Sequence, residues 1–323
     1  MNTLLELKDL SIDYLVKDGK LSAVNSLNLS INRGEIFALV GESGCGKTTV
    51  AFSIMRLLQG NEQTSGEILF EGEDLLTLED GRIEKIRGKH IGMIFQNPLD
   101  SLNPVYTSGN QVAEAILLDE KDKHVVMEKL LKLYEDVRIP DAPERIHSYP
   151  HELSGGMRQR VMIAMMLSRN PQLLIADEPT TALDVTVEAQ ILKLLKELRD
   201  DYGSAILLIT HNFGIVAELA DRVGIMYAGE LVELADVVEI FHHPVHPYSK
   251  ALMASLPRMT KEEGRLATLD GTVPRIIGEF KGCRFSNRCA LAQKRCFVDT
   301  PSLLEIRPGH FVQCHNEEVL RGY

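Results

Sequence analysis

One octapeptide limits the choice of fold more than any other part of the chain: Gly41-Glu42-Ser43-Gly44-Cys45-Gly46-Lys47-Thr48. Its spacing, G-x-x-x-x-G-K-[ST], is that of a phosphate-binding loop, in which glycines let backbone N–H groups close around phosphates. The apolar run Ile36-Phe37-Ala38-Leu39-Val40 precedes it and reads as a buried strand. After it, Val50, Ile54, Leu57 and Leu58 recur at helical spacing. Strand, loop and helix in that order aim the positive end of a helix dipole at a bound anion. Lys47 then reaches the β- and γ-phosphates, and Thr48 is placed as a magnesium ligand. The alternative, a glycine-rich turn ahead of an ordinary helix, does not account for a second motif downstream.

That second motif is Leu153-Ser154-Gly155-Gly156-Met157. A serine and two glycines opening a helix form another anion site. Between the motif and the chain end stands Leu173-Leu174-Ile175-Ala176-Asp177-Glu178, an apolar strand closed by two carboxylates. Asp177 suits magnesium binding from a neighbouring strand, and Glu178 can face the γ-phosphate and polarise an attacking water. Two acids at a strand end are usually a solvated turn, but a phosphate-binding loop already requires a magnesium partner close by.

Alternating apolar strands and helical patterns predict an α/β core with a largely parallel sheet. From about Asn97 to Asn170 the pattern turns helical, with Val126, Leu130, Leu131 and Leu133 as an example. Gly156 to Ser168 and Gln190 to Asp200 read as amphipathic helices. Past about Asp236 the α/β rhythm stops at the proline-punctuated His242-His243-Pro244-Val245-His246-Pro247, a connector in preference to a metal site. The composition, 44% hydrophobic and 25% charged, is that of a globular protein. No run reaches the ~18 apolar residues of a membrane span, and the first residues lack the pattern of a secretory leader. A net charge of −11 gives no general attraction to nucleic acid.

These motifs, together with Ala182-Leu183-Asp184, resemble in order and spacing those of ABC-transporter ATPase subunits. The resemblance implies a P-loop NTPase fold with an inserted helical subdomain, about 97–170, and ATP and Mg²⁺ as ligands. It makes Tyr14 the residue on which adenine stacks, and Gln96 the glutamine of the Q-loop. His211, after Ala205-Ile206-Leu207-Leu208-Ile209-Thr210, is similar to the switch histidine. Nucleotide contacts are implied at Gly41, Ser43, Gly44, Cys45, Gly46, Lys47, Thr48, Thr49, Gln96 and Asp177. Glu178, His211, Gln96 and Lys47 carry the catalytic roles. Two subunits face each other head to tail, so that Leu153, Ser154, Gly155, Gly156 and Met157 complete the partner's ATP site, with Asp184 in the adjoining D-loop.

The stretches Phe95–Pro104, Leu153–Val161 and His246–Leu252 resemble the oligopeptide/dipeptide/nickel branch of ABC importers. Met157, where the wider superfamily has glutamine, fits one of the two ATPase subunits of that branch. The implied division is an ATPase domain over 1–235 and a small Cys-containing extension over 236–323. The implied assembly is a second homologous ATPase subunit, two membrane permeases and an extracytoplasmic substrate-binding protein, with this chain peripheral on the cytoplasmic membrane face. The residues around Gln96 would receive the permeases' coupling helices. The expected function is ATP-driven import of small peptides; nickel, metal-chelate or glutathione-like substrates are the alternative. Soluble ABC ATPases acting on ribosomes or DNA carry paired cassettes or long insertions, which this chain lacks. A metal-regulated binding module using ATP only as a switch would not need Glu178.

The extension holds four of the five cysteines: Cys283, Cys289, Cys296 and Cys314. Clustered thiols in a cytosolic chain favour a metal over disulfides. The spacing lacks the C-x₂₋₄-C knuckle of common zinc sites, while four thiolates are the usual complement of a [4Fe–4S] cluster. Some ATPases of dipeptide transporters carry such a cluster in this position. A [4Fe–4S] cluster, zinc and reduced thiols remain three readings of this tail, with His310 and His315 as substitute ligands.

Overall fold

The computed structural model describes residues 3–96, 102–180, 184–256 and 271–321. Its main sheet has the order β11-β12-β10-β9-β3-β8-β7-β6. At its centre β9 (Arg222–Tyr227), β3 (Ile36–Val40), β8 (Ala205–Thr210), β7 (Leu173–Asp177) and β6 (Ile91–Ile94) run parallel. Every residue of β3, β7 and β8 is buried. That is why these strands read as unbroken apolar runs: a parallel sheet covered on both faces has no solvent side to alternate with.

A second, antiparallel sheet of order β2-β1-β4-β5 covers one face. It comprises β1 (Thr3–Val16), β2 (Gly19–Asn32), β4 (Glu62–Phe70) and β5 (Glu73–Asp74). Alternate residues of the central strands divide between two cores. Phe37, Leu39, Ile175, Leu207 and Ile209 pack toward the antiparallel sheet, with Val50, Ala51 and Ile54 of the loop's helix between the layers. Leu174, Ala176, Ile206 and Leu208 pack on the other side against helices. The loop's helix spans Lys47–Ile54 and stops short of Leu57 and Leu58, which the periodicity had included. Arg56 takes a positive φ of 46° just past its end.

Between β6 and β7 the described chain is helical: Ser108–Leu117, Lys123–Asp136, Ala142–Arg145 and Gly155–Leu167. The helix expected over Gln190–Asp200 runs over Val185–Tyr202. The residues 97–101, 181–183 and 257–270 lie outside the described residues, including Ala182 and Leu183 and most of the stretch following Gln96.

Beyond β10 (Glu230–Asp236) the chain regains regular structure that the sequence reading did not anticipate. Helices form over Val237–His242 and Pro247–Ala254, and a hairpin joins β11 (Leu303–Arg307) to β12 (His310–Gln313). β12 pairs antiparallel with β10, so the tail extends the main sheet. Glu233, fully buried, organises this junction. Its carboxylate accepts the N–H groups of Val245 and His246, both at 2.8 Å, and faces His310 Nε2 at 2.8 Å. The proline-rich connector is thereby tied to β10. His246 caps the helix that follows through Nδ1, and burial depresses its pKa to about 4. His310 is thus engaged with Glu233 and is not among the residues lining the cysteine cavity.

Candidate active site

The strand order brings the expected residues into one row. The phosphate-binding loop follows β3, His211 follows β8, Asp177 and Glu178 end β7, and Gln96 follows β6. All stand at the carboxyl ends of parallel strands, where α/β sheets bind ligands. A cleft of about 500 Å³ lies over them, lined among others by Tyr14, Ser43, Gly44, Gly46, Lys47, Thr48, Thr49, Gln96 and Glu178.

Neighbours fix the loop from below. Gly46 has φ +108°, and a Cβ there would stand 2.4 Å from the Ala23 carbonyl oxygen, so only glycine fits. The Gly229 N–H donates to the Cys45 carbonyl at 2.8 Å. The Cys45 side chain is buried at 1% exposure, and burial raises its thiol pKa. Only its backbone is therefore available to a ligand. Lys47 Nζ donates to the carbonyls of Gly41 at 2.8 Å and Glu42 at 3.1 Å. Its ammonium is held inside the loop, next to where phosphate oxygens would sit.

Thr48 Oγ1 donates to Asp177 Oδ1 at 3.2 Å, so the two oxygens expected to share magnesium are neighbours. Burial pushes the Asp177 pKa up, partly offset by the Thr48 hydrogen bond. A hydroxyl and a carboxylate at hydrogen-bonding distance are the hard oxygen donors that Mg²⁺ takes beside substrate phosphates. Glu178 sits between two partners: Gln96 Nε2 donates to Oε2 at 2.9 Å, and His211 Nδ1 lies 3.1 Å from Oε1. Its backbone has φ 45°, an uncommon conformation for a residue with a side chain. Strain of this kind collects where function fixes a side chain.

The Leu153–Met157 segment lies outside this cleft. Ser154 and Gly155 are exposed, with Ser154 capping the helix Gly155–Leu167 by accepting the Met157 N–H at 3.3 Å. A Cβ on Gly156 would meet Val187 Cγ1 at 2.7 Å, so close packing against the next helix requires glycine there. Asp184 caps that helix, accepting the Val187 N–H at 3.0 Å.

Cys283, Cys289, Cys296 and Cys314 line one small cavity with His246 and His315. Burial raises the thiol pKa values of Cys283, Cys289 and Cys314, that of Cys283 to about 12. Among the described residues no group of three or more His, Cys, Asp or Glu side chains is arranged to hold a metal ion. The expectation of zinc or an iron–sulfur cluster therefore draws no support from a ready-made ligand set.

Sequence reasoning missed one wall of the cleft. Val273, Pro274, Arg275 and Ile276 of the tail line it beside Leu21 and Ser22. The Ser22 N–H donates to Ile276 O at 2.9 Å, and Leu21 bridges Ile277. Nothing local in the sequence signals a partnership over such a separation.

Fold and site together define an ATP-hydrolysing subunit of the ABC type. The ABC transporter family model matches residues 24–181, and that of the oligopeptide/dipeptide transporter C-terminal region matches residues 232–296. The chain is 45% identical to the oligopeptide transport ATP-binding protein OppD of Haemophilus influenzae, covering 97% of each chain. It is 44% identical to OppD of Escherichia coli over 99% of this chain and 95% of that one. A dimeric ATP-binding cassette, MJ0796, in a post-hydrolysis state with ADP and Pi, matches 72% of this chain and 99% of its own. Its TM-score is 0.65 at 27% identity. This chain belongs to the family of ATP-binding subunits of oligopeptide/dipeptide ABC transporters.

Proposed function

We propose that this chain powers the import of small peptides through a membrane ABC transporter, hydrolysing ATP between two ATPase subunits. The convergence of Lys47, Thr48, Asp177, Glu178, Gln96 and His211 at the ends of adjacent strands carries the reading. Similarity to oligopeptide transport ATP-binding proteins over nearly the full chain supports the peptide substrate over nickel.

In this reading the loop's N–H groups and Lys47 bind the β- and γ-phosphates. Thr48 and Asp177 would hold Mg²⁺, which when bound neutralises charge on those phosphates. Glu178 accepts a proton from the attacking water, and Gln96 and His211 fix its carboxylate. Tyr14, on β1 and lining the cleft, stacks the base. Ser154 and the glycine N–H groups of one subunit close the other's γ-phosphate site, which their exposure permits. Among the described residues no helix is long and apolar enough to cross a membrane. Similarity to oligopeptide transport ATP-binding proteins supports an assembly in which permease subunits carry out translocation, with a second ATPase chain as partner, a separate binding protein as supplier, and this chain on the cytoplasmic membrane face.

For the tail we favour a [4Fe–4S] cluster over zinc. Four cysteines line one shared cavity, and four thiolates are the complement that such a cluster takes. The Asn316 N–H points to Cys314 Sγ at 3.4 Å and the Gln293 N–H to Cys296 Sγ at 3.5 Å, contacts that stabilise thiolates. Iron and acid-labile sulfide assayed after anaerobic purification test this; stoichiometric zinc without sulfide, or no metal, would refute it.

Uptake of labelled dipeptide and of nickel by cells lacking this gene tests the transport function. Loss of peptide uptake with nickel uptake intact is expected. The reverse would make nickel the cargo.

A further inference from the structure

The tail touches the phosphate-binding loop itself, at a contact that none of the roles above employs. Arg288, next to Cys289, has a side chain only 8% exposed. Its Nη1 donates to both carboxylate oxygens of Glu42, at 2.9 and 3.2 Å. The guanidinium also lies over the Tyr227 ring, 5.6 Å from its centroid. That ring packs edge-on against Tyr248 and Phe285, with centroids 4.8 and 5.1 Å away. The arginine therefore has little freedom to move.

Glu42 is the second residue of the loop and is held at three points. Its carboxylate meets Arg288, its N–H donates to Tyr248 Oη at 3.2 Å, and its carbonyl accepts from Lys47 Nζ. A carboxylate beside a triphosphate site is electrostatically unfavourable unless neutralised. Exposed ion pairs contribute little, but a buried guanidinium with good geometry is the case in which loss of a partner is felt. The same tail supplies the 273–276 wall of the cleft.

We propose that Arg288 is a positioning residue for nucleotide binding: it neutralises and fixes Glu42, so that the Cys-bearing tail sets the ATP affinity of the loop. The inference rests on the loop being the ATP site. Binding of a fluorescent ATP analogue with Mg²⁺ to the full chain tests it, with thermal unfolding measured alongside. Arg288→Ala is expected to weaken binding on the order of tenfold. Arg288→Ala combined with Glu42→Gln is expected to recover most of that loss, because the unpaired charge is gone. A merely structural role would predict lower thermal stability with no such recovery. If the alanine variant does not fold, Arg288→Gln carries the test, since it keeps a donor and removes only the charge. Wild-type affinity in the single variant, or no recovery in the double variant, overturns the proposal. A wild-type chain that binds no nucleotide overturns the ATP-site reading and this inference with it, whereas a wild type that binds isolates failure to Arg288.

Discussion

Replacing Glu178 by glutamine separates chemistry from architecture at this site. The carboxylate accepts from Gln96 Nε2 at 2.9 Å and faces His211 Nδ1 at 3.1 Å. Glutamine offers one acceptor and one donor in the same volume. One neighbour need answer: with the new oxygen toward Gln96, His211 takes the tautomer with a lone pair on Nδ1, and with it toward His211, the Gln96 amide turns over to present its oxygen. Each hydrogen bond thus has a neutral replacement, and the stability change should stay within about 1 kcal/mol. The water, by contrast, loses its proton acceptor. General-base catalysis contributes about 10²–10⁴-fold, or roughly 3–6 kcal/mol of barrier at ~1.4 kcal/mol per decade. Phosphate release by the assembled transporter at saturating ATP should fall by that factor, while equilibrium ATP binding and urea unfolding change little. A loss confined to kcat is the mark of an interaction made only in the transition state. Undiminished turnover would remove Glu178 from its role, and an equal loss of ATP binding would make it a structural residue.

Three further outcomes follow from the packing and hydrogen bonds of the same chain. Ser154→Ala removes the cap on the Met157 N–H, costing about 1 kcal/mol of helix stability. It should also depress ATP turnover at the partner's site, so unchanged ATPase activity in the assembled complex counts against the head-to-tail arrangement. Gly156→Ala places a methyl 2.7 Å from Val187 Cγ1 and should cost about 1–3 kcal/mol by overpacking, read by urea unfolding; an unchanged midpoint would refute the contact. Arg284→Met leaves Glu230, 4% exposed, without the ion pair at 3.1 Å. The expected loss is about 3–5 kcal/mol near neutral pH. Burial already raises the Glu230 pKa, with Arg284 opposing it, so the variant raises it further. A raised carboxylate favours the fold below its unfolded pKa and loses that contribution as pH rises through the folded value. The deficit of the variant should therefore shrink as pH falls below neutral and the raised carboxyl takes up its proton; a deficit independent of pH would contradict the assignment.

The legible parts of this molecule are those where chemistry is local. The β3, β7 and β8 strands show as apolar runs because both sheet faces are covered, and the loop, Ser154 and Asp177-Glu178 each sit at an element boundary that their own spacing marks. Gln96 and His211 carry no local signal of their own, and only the resemblance to ABC-transporter ATPase subunits set them beside Glu178. The tail was opaque for physical reasons. The residues of β11 are half-buried or exposed with no alternation, so the strand has no periodic signature. Its place on the sheet depends on Glu233, a lone carboxylate whose burial no pattern announces. The Arg288–Glu42 pair spans 246 positions and leaves no trace in either neighbourhood.

Peptide uptake into vesicles holding the assembled transporter, with this chain either wild type or Lys47→Ala, tests the central claim most directly. Lys47 is the one cation anchored inside the loop among the described residues, by the carbonyls of Gly41 and Glu42. The wild type should accumulate labelled peptide only when ATP and Mg²⁺ are supplied, and Lys47→Ala should abolish that accumulation. Peptide uptake that continues unchanged with Lys47→Ala would contradict the account.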